Sequence, residues 1–196
     1  MIRFLAVGVL SVCAAAPALA GSPALHSGKY EGLMLAVTPE HQVEGYYAEA
    51  MGEDVTRSCT FYLQGKPDAL TTWSDEAYPG SVAPSSDGVT LSVKEARQHP
   101  GCMNVLMPEI ATGLDLTQTA NKKWIGLVTV SADKAYLLKT PSAKPAKRPY
   151  IVKNDVVGVL AVKDGWAQVE FINAQSRSFT GWISQDQYSR LSAPKP

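Results

Sequence analysis

The chain has 196 residues, 18 Lys and Arg against 18 Asp and Glu, and 45% hydrophobic residues. That length and composition suit one large or two small globular domains and exclude a disordered or low-complexity polymer. The formal net charge is zero, and no phosphate-cradling glycine loop or recognition-helix pattern points to nucleic acid.

Residues 1–20, MIRFLAVGVLSVCAAAPALA, place Arg3 before an apolar run and end in the small-x-small series Ala18-Leu19-Ala20. This is the pattern of a secretory signal peptide cleaved after Ala20, and the run is too short to span a bilayer. Lipoprotein processing at Cys13 requires a small residue before the cysteine, and Val12 stands there. The expected product begins at Gly21, is periplasmic or secreted, and has no integral membrane segment, since no later run of about 18 apolar residues occurs. Cleavage removes Cys13, and the remaining pair, Cys59 and Cys102, is expected to form a disulfide in an exported protein.

Short strand-like runs then dominate. Residues 29–37 read as a strand, Pro39-Glu40-His41-Gln42 as a turn, and 43–50 as the returning strand of a hairpin. In 58–65, Cys59, Phe61 and Leu63 alternate with polar residues and are expected to face inward. A short run ends at Trp73, 79–88 reads as a loop from its Pro, Gly and Ser content, and 88–93 alternates as a strand. Residues 95–98 and 184–191 read as one or two helical turns, and 115–119 and 124–130 complete the first strand series. The fold class predicted is all-β, with an N-terminal antiparallel barrel or meander over 21–130, a second small domain over 131–191 and a tail, 192–196.

The two parts differ in charge. Residues 21–125 carry 13 Asp and Glu against 7 Lys and Arg, and residues 126–196 carry 5 against 10. Lys139, Lys144, Lys147, Arg148 and Lys153, interleaved with prolines, form a basic loop read first as solvated and second as a binding patch.

Residues 135–191 contain, in order, Pro141, a turn at Asn154-Asp155 leading to Val156, Gly165-Trp166, Val169, and Gly181-Trp182-Ile183 before a short helical stretch. This succession resembles the bacterial SH3-type domain. Asn154 departs from the family's usual glycine, and Asn also tolerates left-handed backbone. The resemblance implies a five-stranded barrel that binds rather than catalyses, commonly peptidoglycan or a short peptide, in an aromatic-lined groove. Trp166, Trp182, Tyr150, Tyr188, Lys147 and Arg148 are the candidate ligand-binding residues.

Alternation in 166–171 puts Ala167, Val169 and Phe171 on one face and Trp166, Gln168 and Glu170 on the other. In 178–183 it puts Phe179, Gly181 and Ile183 opposite Ser178, Thr180 and Trp182. Both tryptophans therefore fall on the outer, polar face. A hairpin with loop 172–176 sets Trp166 directly opposite Trp182 and Val169 opposite Phe179, making one apolar patch. The patch is either covered by the chain itself, docked on the N-terminal domain, or open to a ligand.

No catalytic constellation is present in the sequence. A Cys–His peptidase needs a thiolate at a helix start, whereas Cys59 lies in a strand pattern and His99 in a turn. His26, His41 and His99 are far apart, with no metal-ligand spacing and no cofactor motif. Glu53-Asp54 and Asp75-Glu76 read as loop solubilisers. The reading is an exported, non-enzymatic binding protein of the cell envelope whose partner is peptidoglycan or an envelope peptide or protein. The alternative is a periplasmic inhibitor or immunity-type protein that blocks a cell-wall-degrading enzyme.

Overall fold

The computed structural model describes residues 24–52, 57–141 and 149–194, so the signal-peptide reading, Glu53-Asp54, Lys147 and Arg148 lie outside the described residues. The described chain is all-β, built from a closed barrel and two further sheets. No helix in it is long and apolar enough to cross a membrane.

Eight strands form the barrel: β1 (Gly28–Tyr30), β2 (Leu33–Val37), β3 (Val43–Met51), β4 (Arg57–Lys66), β5 (Ala69–Trp73), β6 (Ala77–Pro84), β7 (Gly88–Ser92) and β8 (Leu114–Asn121). Each is antiparallel to the next in sequence, and β8 returns to pair with β1, which removes the open sheet edge. The interior is filled by alternating side chains, among them Leu33, Leu35, Val43, Phe61, Leu63 and Leu91.

Two expectations are corrected here. The single strand predicted over 29–37 is broken by a two-residue turn, Glu31-Gly32, with Tyr30 paired to Leu33 and Gly32 at φ 69°. The stretch 79–88, predicted as loop, is mostly strand: β6 runs to Pro84 and pairs with β5 and β7. Only Val82 of β6 is buried, so the strand carried no alternation to recognise.

Between β7 and β8 the chain forms three short 3₁₀ turns, Ala96–Gln98, Cys102–Asn104 and Pro108–Ala111. They contribute the buried side chains of Ala96, Cys102 and Ile110 to the barrel core. Cys59, facing inward from β4, is bonded to Cys102 at 1.97 Å and staples these turns to the barrel wall. His99 lies within them, stacked on Phe61 at 4.8 Å and edge-on to Tyr78 at 5.0 Å, with Nε2 3.1 Å from Thr72 Oγ1. Burial pushes its imidazole below the ordinary range, toward the neutral form.

The remaining strands are β9 (Gly126–Val130), β10 (Lys134–Tyr136), β11 (Tyr150–Val152), β12 (Val156–Lys163), β13 (Trp166–Ile172), β14 (Ser178–Ser184) and β15 (Tyr188–Arg190). One sheet has the order β14-β13-β12-β9-β15, and β10 pairs with β11 in a second. Paired backbone bonds between Leu138 and Trp182, 3.0 and 2.8 Å, connect the two. The run 124–130, placed by the sequence reading at the end of the first series, thus supplies β9 to the five-stranded sheet, between β12 and β15. The 184–191 stretch is a single 3₁₀ turn, Gln185–Gln187, followed by β15. Asn154 has φ 72°, and Asp164-Gly165, at φ 48° and 79°, makes the two-residue turn between β12 and β13.

A third apolar cluster joins the barrel's outer wall to the five-stranded sheet. Ala36, Trp73, Trp124, Leu127, Val156 and Leu191 are buried in it, and Met34, Tyr46 and Tyr62 pack around them.

Replacing Cys59 and Cys102 together by Ser is expected to lower stability by about 2–4 kcal/mol. Chemical denaturation of the oxidised wild type against the double variant measures this, and equal midpoints would show that the staple contributes nothing.

Candidate functional site

The β13–β14 hairpin carries both tryptophans singled out in the sequence. Its register is shifted by two residues from the expected one: Trp166 pairs with Ser184, Gln168 with Trp182, Val169 with Gly181 and Phe171 with Phe179. The cause is Asn173. Its Oδ1 accepts the N–H groups of Gln175 (3.1 Å) and Arg177 (2.9 Å), which makes 173–177 the loop instead of 172–176. A slip that moves each partner by two residues preserves the faces, so both indoles stay on the outer face. They stand diagonally instead of directly opposite, and both are half-buried.

The inward set divides. Ala167, Val169 and Ile183 are fully buried, whereas Phe171 and Phe179 are only partly buried and close one end of the core. With Leu137, Pro149, Tyr150 and Asn173 they line a groove of about 260 Å³. Tyr150 is 49% exposed. The Lys134 ammonium lies 4.0 Å from the Tyr150 ring centroid and the Tyr136 ring meets Tyr150 edge-on at 5.9 Å, so the phenol is held from one side. An aromatic slot of this kind can stack a sugar face or seat an apolar peptide side chain. Of the four predicted site residues among the described ones, Trp166, Trp182, Tyr150 and Tyr188, Tyr150 lines it. Tyr188 instead packs against the second core and borders a different cleft, and Trp166 and Trp182 lie outside both.

Glu170 overturns the reading of its strand face as solvent-exposed. It is 8% exposed. Its Oε2 accepts the Trp124 indole N–H at 2.8 Å and its Oε1 accepts Lys122 Nζ at 2.6 Å, the only ion pair among the described residues. Glu170 pairs directly with Gly158 on β12, and a Cβ at Gly158 would stand 2.2 Å from the Trp124 indole nitrogen. Glycine there is what lets the indole lie across the sheet. Burial alone raises the Glu170 carboxyl, and the hydrogen bonds from Lys122, Ser178 and Trp124 outweigh it, holding the group below the ordinary carboxylate range.

Among the described residues no cluster of three or more His, Cys, Asp or Glu is placed to hold a metal ion. The disulfide engages Cys59 and Cys102, so neither provides the thiolate of a Cys–His pair. Sequence reasoning missed Glu170 and Trp124, and also Phe171 and Phe179 as groove walls. The signal for Trp124 was its position at the seam between the two charge-distinct halves, and nothing local marked Glu170. No protein-family model matches the chain, and no curated protein matches it.

Because the folded Glu170 titrates below its unfolded value, its contribution is present above the unfolded pKa and fades as pH falls through the folded one. Glu170→Gln is expected to cost roughly 1.5–3 kcal/mol at pH 7 and less at pH 3. Urea midpoints of both proteins at the two pH values measure the difference, and a gap that does not narrow in acid would contradict the assignment.

Proposed function

We propose that the chain is an exported, non-enzymatic binding protein of the cell envelope, in which an SH3-like module formed by β9–β15 recognises peptidoglycan or a short peptide. The observation that carries this reading is the groove between Tyr150, Phe171 and Phe179. Three strands contribute its aromatic rings, it is open to solvent, and it shares no lining residue with the cluster that joins the module to the barrel. Exposed aromatic clusters often mark binding surfaces. The left-handed Asn154 and the Asp164-Gly165 turn support the SH3-like reading, since they stand where the family's turns would be. The leader-like residues 1–20 and the Cys59–Cys102 disulfide support export. The barrel, packed with side chains throughout its interior, then serves as the scaffold.

A second reading, an inhibitor or immunity-type protein, is favoured by one feature of the barrel end. Met103 and Met107 stand 53% and 55% exposed in the segment stapled by the disulfide, on the acidic half of the chain.

Co-sedimentation with purified sacculi tests the first reading. The wild type is expected to pellet, and Tyr150→Ala, at an exposed position, is expected to reduce the pelleted fraction at least fivefold with an unchanged melting temperature. Absence of pelleting by the wild type removes peptidoglycan as the partner. Recovery of a cell-wall hydrolase with the protein, lost in Met103→Asp but retained in Tyr150→Ala, would establish the second reading instead.

A further inference from the structure

A second cleft, of about 200 Å³, lies where the Pro39–Glu40 turn of the barrel faces the five-stranded sheet. It shares no residue with the aromatic groove. Within it, Glu44 on β3 reaches across the seam so that Oε2 accepts the Leu127 N–H at 2.7 Å. Gly126 lies against it, and a Cβ there would stand 2.9 Å from that same oxygen and require the carboxylate to shift. The other oxygen, Oε1, receives only a long contact from Gln64 Nε2 at 3.4 Å.

The surroundings leave this carboxylate without a full counter-charge. Among the described residues no cation lies within ion-pair distance of it. Arg190 also borders the cleft, but Glu40 shares that border. The hydrogen bond from Thr38 first, and the charge of Arg190 with it, hold Glu40 below its ordinary range. Burial pushes Glu44 upward, and the bonds from Leu127 and Gln64 together with the attraction of Arg190 do not offset it.

The walls are aliphatic and partly open. Ile125 is 37% exposed and Val162 51% exposed, both large residues left at the surface. Val162 owes its place to a β-bulge. The β12–β13 register slips between Val159 and Ala161, so Val159 and Val162, three residues apart, both line the cleft. A regular strand would send them to opposite faces, and re-aiming one side chain is what a bulge accomplishes.

We propose that this cleft binds an aliphatic primary ammonium group, such as the end of a lysine-like side chain, with Glu44 Oε1 as its counter-ion and Ile125 and Val162 beside its methylene chain. An under-compensated, pre-oriented carboxylate favours a charge-assisted N–H donor, and an amphipathic ligand matches a site that is charged within and aliphatic at the rim. Two carboxylates against one guanidinium also leave the cleft net negative, which selects a cation over an anion. The site is independent of the aromatic groove and of what that groove recognises.

The test is an amide and methyl NMR titration of the protein with Nα-acetyl-lysine methylamide, in parallel with the norleucine analogue that lacks the ammonium. Saturable shifts at Gly126, Leu127 and Val162 are expected with the lysine compound and not with norleucine. Glu44→Gln keeps an acceptor for Leu127 and is expected to raise the dissociation constant at least tenfold. Val162→Lys, at an exposed rim position, brings its own ammonium and is expected to weaken binding similarly, so it serves where Glu44→Gln does not fold. Equal shifts with norleucine, shifts confined to other surfaces, no shifts at all, or unchanged affinity in a folded variant would each overturn the proposal.

Discussion

The contact between the barrel and the second set of strands depends on one buried carboxylate. Glu170 is taken out of water and compensated by an indole N–H at 2.8 Å and an ammonium at 2.6 Å, both from the segment that leaves the barrel. Without its donors, these two and Ser178, the carboxylate would be an uncompensated charge beneath the sheet, a situation costing several kcal/mol. With them, Trp124 is fixed over Gly158 and becomes the centre of the apolar cluster formed by Trp73, Leu127, Val156 and Leu191. The polar triad sets the geometry and the apolar cluster supplies most of the burial.

Glu44 makes the complementary connection from the barrel side. Its carboxylate receives the Leu127 N–H just after β9 begins. The two glutamates differ in how fully they are compensated. Glu170 has a cation and an indole and lies below its ordinary pKa, whereas Glu44 has neither and is pushed up. The first behaves as structure. The second has unused acceptor capacity facing an open cleft, which is the chemical basis for assigning it a ligand. The seam thus joins the barrel to the five-stranded sheet and shares no lining residue with the aromatic groove.

Legibility followed locality. Cys59, Phe61 and Leu63 alternate without interruption, and they are buried as their spacing implies. The left-handed residue at Asn154 was readable because turn chemistry is carried by single residues. The hairpin register was not, because the side-chain bonds of Asn173 decide it and several five-residue loops satisfy the same alternation. β6 was unreadable for a different reason. Its two prolines and single buried residue resemble a loop, and only its neighbours on both sides make it a strand.

The sequence by itself determined the all-β class, the cysteine pair, the inward face of β4 and the outward face of both tryptophans. Each depends on period-two alternation or on residue chemistry that acts over a few positions. Tertiary structure alone decided that β8 closes on β1, that β9 joins the five-stranded sheet, and that Glu170 is buried while Tyr150, Phe171 and Phe179 share a groove. These features depend on contacts between residues dozens of positions apart. A glutamate on an alternating strand looks the same in sequence whether the next layer is water or a tryptophan, and only packing supplies the indole.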